Sequence, residues 1–141
     1  MKKYNLLMHS YPEFPQDVFD AFAKVIINHH LKPKVEGIYS VNLENKYCSI
    51  NLNMDRYNLQ VLYFKKAGLI FKTIEDKSYG ITNLIMRVLK SKDFLNTLPE
   101  TSYGNRNQII ELLNWYSYHI EKHLNKLLEG DFTILDDKAS L

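Results

Sequence analysis

A switch of hydrophobic period constrains this chain more than any other feature: helical spacing first, then strict alternation, then helical spacing again. From Val35 the pattern places Gly37, Tyr39, Val41 and Leu43 on one side of an extended run. After Glu44 and Asn45 it resumes in Cys48, Ile50, Leu52 and Met54, and beyond Asp55 and Arg56 in Tyr57, Leu59, Val61 and Tyr63. A fourth run spans Leu69 to Ile74, following Lys65, Lys66, Ala67 and Gly68. Connections this short join antiparallel neighbours, because parallel strands need a crossover of a dozen residues or more. The middle of the chain is therefore expected as an antiparallel meander closed by tight hairpins.

Helical patterns flank it. Pro15 suits a first helical turn, and Val18, Phe19, Phe22, Val25 and Ile26 recur at helical spacing up to His30, with Pro33 closing the helix. Beyond Ser78, Ile81, Leu84, Ile85, Val88 and Leu89 form a second stripe, followed by a polar stretch from Asp93 to Pro99. Asn105 and Gln108 resemble a capping box, and Ile109, Leu113, Tyr116, Ile120, Leu124 and Leu127 line one face of a last helix that runs to Gly130. The expected class is α+β: an N-terminal helix, a four-stranded antiparallel meander and two C-terminal helices. Residues 1–135 are read as a single domain and residues 136–141 as a frayed tail. A chain of 141 residues buries on the order of 68% of its unfolded surface, so it needs no covalent staple. The lone Cys48, on the apolar side of its run, reads as a buried, inert thiol.

Charge and motifs narrow the function classes. The 18 basic and 16 acidic residues are interspersed and leave a net charge of +2, too mild to select a polyanion, so nucleic acid is not the expected partner. No run approaches the roughly 18 apolar residues of a membrane span. Behind Met1, Lys2 and Lys3 only Leu6, Leu7 and Met8 precede His9, too short a core for a secretory signal, so a cytoplasmic protein is expected. Nucleophile elbow, phosphate loop and dinucleotide fingerprint are all absent. His119 and His123 stand four apart on a helix, the spacing of a zinc pair, but the residue after the first histidine is Ile120 where the metalloprotease motif has glutamate. Asp55, Glu75 and Lys77 resemble a nuclease triad, yet an acidic residue two before a lysine also occurs at Glu44 and Asp136, as composition alone predicts. The expectation is a protein without catalytic residues, metal or cofactor.

Binding is then the remaining class. With hairpins closing at Glu44/Asn45 and Asp55/Arg56, Tyr47 faces both Asn42 and Phe64, and Asn51 faces both Ile38 and Gln60. One sheet face collects Tyr39, Val41, Cys48, Ile50, Leu59 and Val61 and belongs in the core. The other gathers Tyr47, Leu62, Phe64, Leu69 and Phe71 at one end and Asn51, Asn53, Asn58, Gln60 and Thr73 at the other. Aromatic groups beside uncharged hydrogen-bonding groups suit a protein partner. On the last helix, Trp115 and Tyr118 lie off the apolar stripe, near Glu111 and Lys122. The candidate partner-binding residues are therefore Tyr47, Asn51, Gln60, Leu62, Phe64, Phe71, Trp115 and Tyr118. The competing structural reading has a helix covering the aromatic end of the sheet, and the preceding helix or the loop from Phe94 to Pro99 covering Trp115. The alternative functions are a small nucleic-acid-binding domain using Tyr47, Asn51, Gln60 and Lys65, or an unfamiliar nuclease or hydrolase built on Glu75, Lys77 and the histidine pair.

The order of helix, meander and long terminal helix resembles that of small bacterial immunity-type proteins. So do the turn Asn53, Met54, Asp55, Arg56, Tyr57 and the ending Leu127, Leu128, Glu129, Gly130, Asp131, Phe132. The resemblance spans most of the chain as architecture and about a dozen residues as pattern. It implies an inhibitor that neutralises a cognate toxin domain by binding it. Immunity partners of nucleases are often acidic, whereas this chain is mildly basic, and no functional residue carries over.

Overall fold

The computed structural model describes residues 11–55, 58–66, 78–99 and 106–136. The fold is α+β with an antiparallel sheet. In chain order it has α1 (Phe14–Ala21), α2 (Ala23–Asn28), β1 (Lys32–Gly37), β2 (Ser40–Glu44), β3 (Cys48–Asp55), β4 (Asn58–Lys66), β5 (Ser78–Gly80) and α3 (Ile81–Leu89). A 3-10 turn (Asp93–Thr97), the long α4 (Arg106–His123), α5 (Asn125–Leu128) and α6 (Thr133–Asp136) follow. Among the described residues the sheet has five strands in the order β1-β2-β3-β4-β5.

The arrangement corrects the expected meander in three places. The run from Val35 to Leu43 is a hairpin, not one strand: β1 and β2 meet with Gly37 opposite Ser40 and Val35 opposite Val41. A bulge between Val35 and Gly37 is what hid the turn. It shifts the pairing by one residue, so Pro33, Val35, Val41 and Leu43 share one face and the alternation runs through the turn unbroken. The β2–β3 register is also displaced. Asn42 lies opposite Asn51 and Leu43 opposite Ile50, so Tyr47 is not opposite Asn42, nor Asn51 opposite Ile38. The shift is even, which preserves the faces. In β3–β4, Leu52 pairs with Val61 and Asn53 with Gln60, but Asn51 pairs with Tyr63 and Ile50 with Phe64, leaving Leu62 as the extra residue of a bulge. That one-residue slip moves position 64 out of the outer row assigned to it and into the row of Ile50. The expected fourth strand, Leu69 to Ile74, lies outside the described residues.

The helices differ in detail for local reasons. The N-terminal helix is interrupted at Phe22 and the last helix at Leu124. Both keep their i→i−4 hydrogen bonds across the break, Phe22 to Val18 at 2.9 Å and Ile26 to Phe22 at 2.8 Å, then Leu124 to Ile120 at 2.9 Å and Leu128 to Leu124 at 3.1 Å. The apolar stripe therefore passes through each irregularity. Just beyond α2, His30 adopts a left-handed φ of 55°, while Leu31 N–H bonds back to the Ile26 carbonyl at 3.0 Å. Pro33, expected as the breaker, sits inside β1.

The core lies between sheet and helices. Val41, Leu43, Cys48, Ile50 and Leu52 of the sheet are fully buried with Phe14, Val18, Phe22 and Val25 of the first helices and Leu113 and Ile120 of α4. Burial of each large aliphatic side chain stabilises the fold by about 1.5–3 kcal/mol. Burial also pushes the Cys48 thiol up to about 12, which removes the nucleophilic thiolate. Among the described residues no helix is long and apolar enough to cross a membrane.

Candidate functional site

Among the described residues, three polar clusters stand out, and their side chains bond mainly to one another. Asp17, on the core side of α1, is buried at 5% exposure. Its carboxylate accepts two bonds from the Arg106 guanidinium, Nε at 2.9 Å and a terminal nitrogen at 3.0 Å, and one from the Tyr11 hydroxyl at 2.5 Å. Burial pushes the Asp17 carboxyl upward, but the hydrogen bonds from Arg106 and Tyr11 outweigh it and hold it below its ordinary value. Periodicity missed this pair. The available signal was Arg106 itself, a cation opening a helix, where the dipole disfavours it unless an anion is close.

The second cluster takes up Trp115, which is 8% exposed. Its ring stacks on Phe94 at 5.5 Å between centroids, and its indole N–H donates to the Thr97 hydroxyl at 2.8 Å. The 3-10 turn over Asp93–Thr97 thus covers Trp115, the competing structural reading of that residue. His119 packs edge-on against Trp115 at 4.8 Å and Phe94 at 5.3 Å, and its ring is stacked with His123 at 5.6 Å. Burial, with His123 and Lys122 adding to it, holds the His119 imidazolium below its ordinary value; burial and Lys122 do the same for His123. Among the described residues no group of three or more His, Cys, Asp or Glu is placed to hold a metal ion. Tyr118 is on the solvent side, 57% exposed, and its hydroxyl accepts from Lys122 Nζ at 3.2 Å.

The third cluster knits α2, the β2–β3 turn and the segment from α4 to the turn after α5. Asn45 donates through its amide to the carbonyls of His29 and Leu128, both at 2.9 Å, and accepts from the backbone N–H groups of Tyr47 and Cys48 at 2.8 and 3.1 Å. Buried His29 meets Glu121 at 3.0 Å, which Asn28 also bonds at 3.0 Å. Tyr47 is half-buried, its ring against Gly130, where an added Cβ would sit 2.7 Å from Cδ1. Position 47 is therefore a wall of this junction. Asn51 is half-buried on the outer sheet face and accepts a bond from Asn53, while neighbouring Asn42 donates to Glu44 at 2.8 Å. Gln60, Leu62 and Phe64 belong to the β4 backbone, and the placement of their side chains lies outside the described residues, as do Lys65's side chain, Phe71, Glu75 and Lys77 entirely.

What these clusters leave open is the first edge of the sheet. All six residues of β1 are exposed. Pro33 and Val35 share a face with the buried Leu43 and Val41 opposite them, yet Val35 is 51% exposed and Ile38, at the hairpin turn, 63%. Among the described residues α1 packs on β2, while β1 stays exposed along its length, so the core side of the edge strand overhangs as an apolar ledge. Its backbone is a poor template for a further strand. Met54 N–H bonds the Tyr39 carbonyl at 2.9 Å and Asn45 N–H the Cys48 carbonyl at 3.0 Å, so the odd residues of β2 bond β3. Its even residues, Asn42 and Glu44, then bond Lys34 and Lys32. Pro33 and Val35 turn their backbone outward, and Pro33 has no N–H to offer. Sequence periodicity missed the ledge because it read β1 and β2 as one strand.

No family model matches the chain, and no curated protein or solved structure is detectably similar to it.

Proposed function

We propose that this chain is a cytoplasmic protein-binding inhibitor or adaptor, in its most concrete form an immunity protein that neutralises a cognate bacterial toxin domain. The observation that carries the proposal is the ledge, where Val35 and Ile38 remain 51% and 63% exposed beside a buried core. Covering the part of each side chain that is still exposed releases about 1 kcal/mol, roughly half the gain of full burial, and that remains available to a partner. The blunted edge makes that partner a side-chain contact rather than an added strand. The immunity form is supported by the order of elements and by the ending from Leu127 to Phe132.

The test is co-expression with the product of the neighbouring reading frame and measurement of a one-to-one complex. Val35→Asp and Ile38→Asp should each weaken it by about thirtyfold, the ~2 kcal/mol of an interface anchor. Wild-type affinity in both variants would remove the ledge from the interface. A complex whose partner has no toxicity to be neutralised would remove the immunity form and leave the adaptor.

A further inference from the structure

At the start of β1, at the end of the same edge strand, lies a basin of about 640 Å³, lined by His29, Lys32, Glu44, Asn45, Lys46 and Tyr47 together with His30. We infer that this basin receives an acidic side chain of the partner, so that the partner presents a carboxylate next to an apolar patch. The inference deepens the protein-binding reading and rests on it.

Charge complementarity carries the argument. Lys32 and Lys46 line the basin, both are exposed, and neither forms an ion pair with a described residue. Lys46 Nζ rests 5.1 Å from the centre of the Tyr47 ring, an arrangement that leaves its N–H donors to solvent or to a ligand. Glu44 is the one carboxylate of the lining, and it already accepts the Asn42 amide at 2.8 Å. Asn45 spends both its amide hydrogens and its oxygen on the chain itself. Nδ1 of His29, buried at the back of the basin, has no hydrogen-bond partner; Glu129 stands 3.4 Å from it in a geometry that makes none. Lys46 over the Tyr47 ring and Lys32 across from Glu44 present two cations to one carboxylate among the described lining residues, an excess that recognises a further carboxylate at the rim of an interface, where charge sets orientation and encounter rate.

The experiment is NMR titration of the full chain with a six-residue aspartate peptide, with a six-residue serine peptide as control. Shifts should concentrate on the rings of His29 and Tyr47 and on Lys32 and Lys46. The double variant Lys32→Glu/Lys46→Glu should bind the aspartate peptide at least about tenfold more weakly, while Lys90→Glu/Lys92→Glu, with the same change of net charge, should not. Equal loss in both double variants, shifts spread over the whole surface, or equal binding of the serine peptide would overturn the inference. If the aspartate peptide fails to bind while Val35→Asp still weakens a partner complex, the acidic anchor falls and the protein-binding reading stands. If the peptide binds as expected but the ledge variants bind the partner normally, the ledge falls instead.

Discussion

Gly130→Ala tests the junction around Tyr47 most sharply, because two separable costs meet at one atom. Gly130 has a φ of +96°, a backbone conformation that costs an L-residue about 1–2 kcal/mol. The new Cβ would also stand 2.7 Å from Cδ1 and 2.9 Å from Cε1 of Tyr47. Tyr47 is itself fixed, since Asn45 holds its backbone N–H at 2.8 Å, so the ring must yield by an overpacking distortion of about 1–3 kcal/mol. The sum predicts a loss of about 2–5 kcal/mol. In a Tyr47→Ala background the ring is gone and the backbone cost remains, so the same substitution should cost only about 1–2 kcal/mol. Urea unfolding of the four proteins, compared at constant m, gives the interaction energy of the cycle. An identical cost of Gly130→Ala in both backgrounds would refute the contact, and a cost near zero in both would refute the backbone geometry as well.

Two further expectations concern the helical layer. Trp115→Ala should destabilise the protein by about 3–5 kcal/mol, as loss of a buried aromatic does, whereas Thr97→Val, which removes the acceptor of the indole N–H, should cost about 1 kcal/mol. Thermal unfolding distinguishes the two, and a stable Trp115→Ala protein would mean that the 3-10 turn does not hold that ring. Asp17 makes stability depend on pH: its folded carboxyl lies below the ordinary value of 3.8, so its contribution is present above that value and lost as pH falls through the folded one. Arg106→Gln removes the compensation for burial, so the stability gap to wild type, open at neutral pH, should narrow as the solution is acidified below about 4. A gap that stays constant down to pH 2 would show that the ion pair does not titrate with folding.

The α+β class and most of the core were legible because burial imposes a period, and period is written locally. Val41, Cys48 and Ile50 alternate since one sheet face is buried; Val18, Phe22 and Val25 recur since one helix face is. Register was not legible, because alternation is unchanged by any even shift and both bulges are invisible to it. The bulge between Val35 and Gly37 even preserved the pattern across a turn, so two strands looked like one. The bulge at Leu62 reversed the pattern in β4, where Val61 and Phe64 join the rows of Leu52 and Ile50. Whether an aromatic residue anchors a partner or a core was beyond periodicity as well: Trp115 and Tyr118 both stand off the stripe, but the turn holding Phe94 and Thr97 covers the first and leaves the second exposed. Sequence alone determined which residues must avoid water, since that is a property of each side chain and its spacing. Tertiary structure alone decided which partners they met, bringing Asp17 to Arg106 and Tyr47 to Gly130, and left β1 exposed at the sheet edge, because those contacts depend on where distant segments stop.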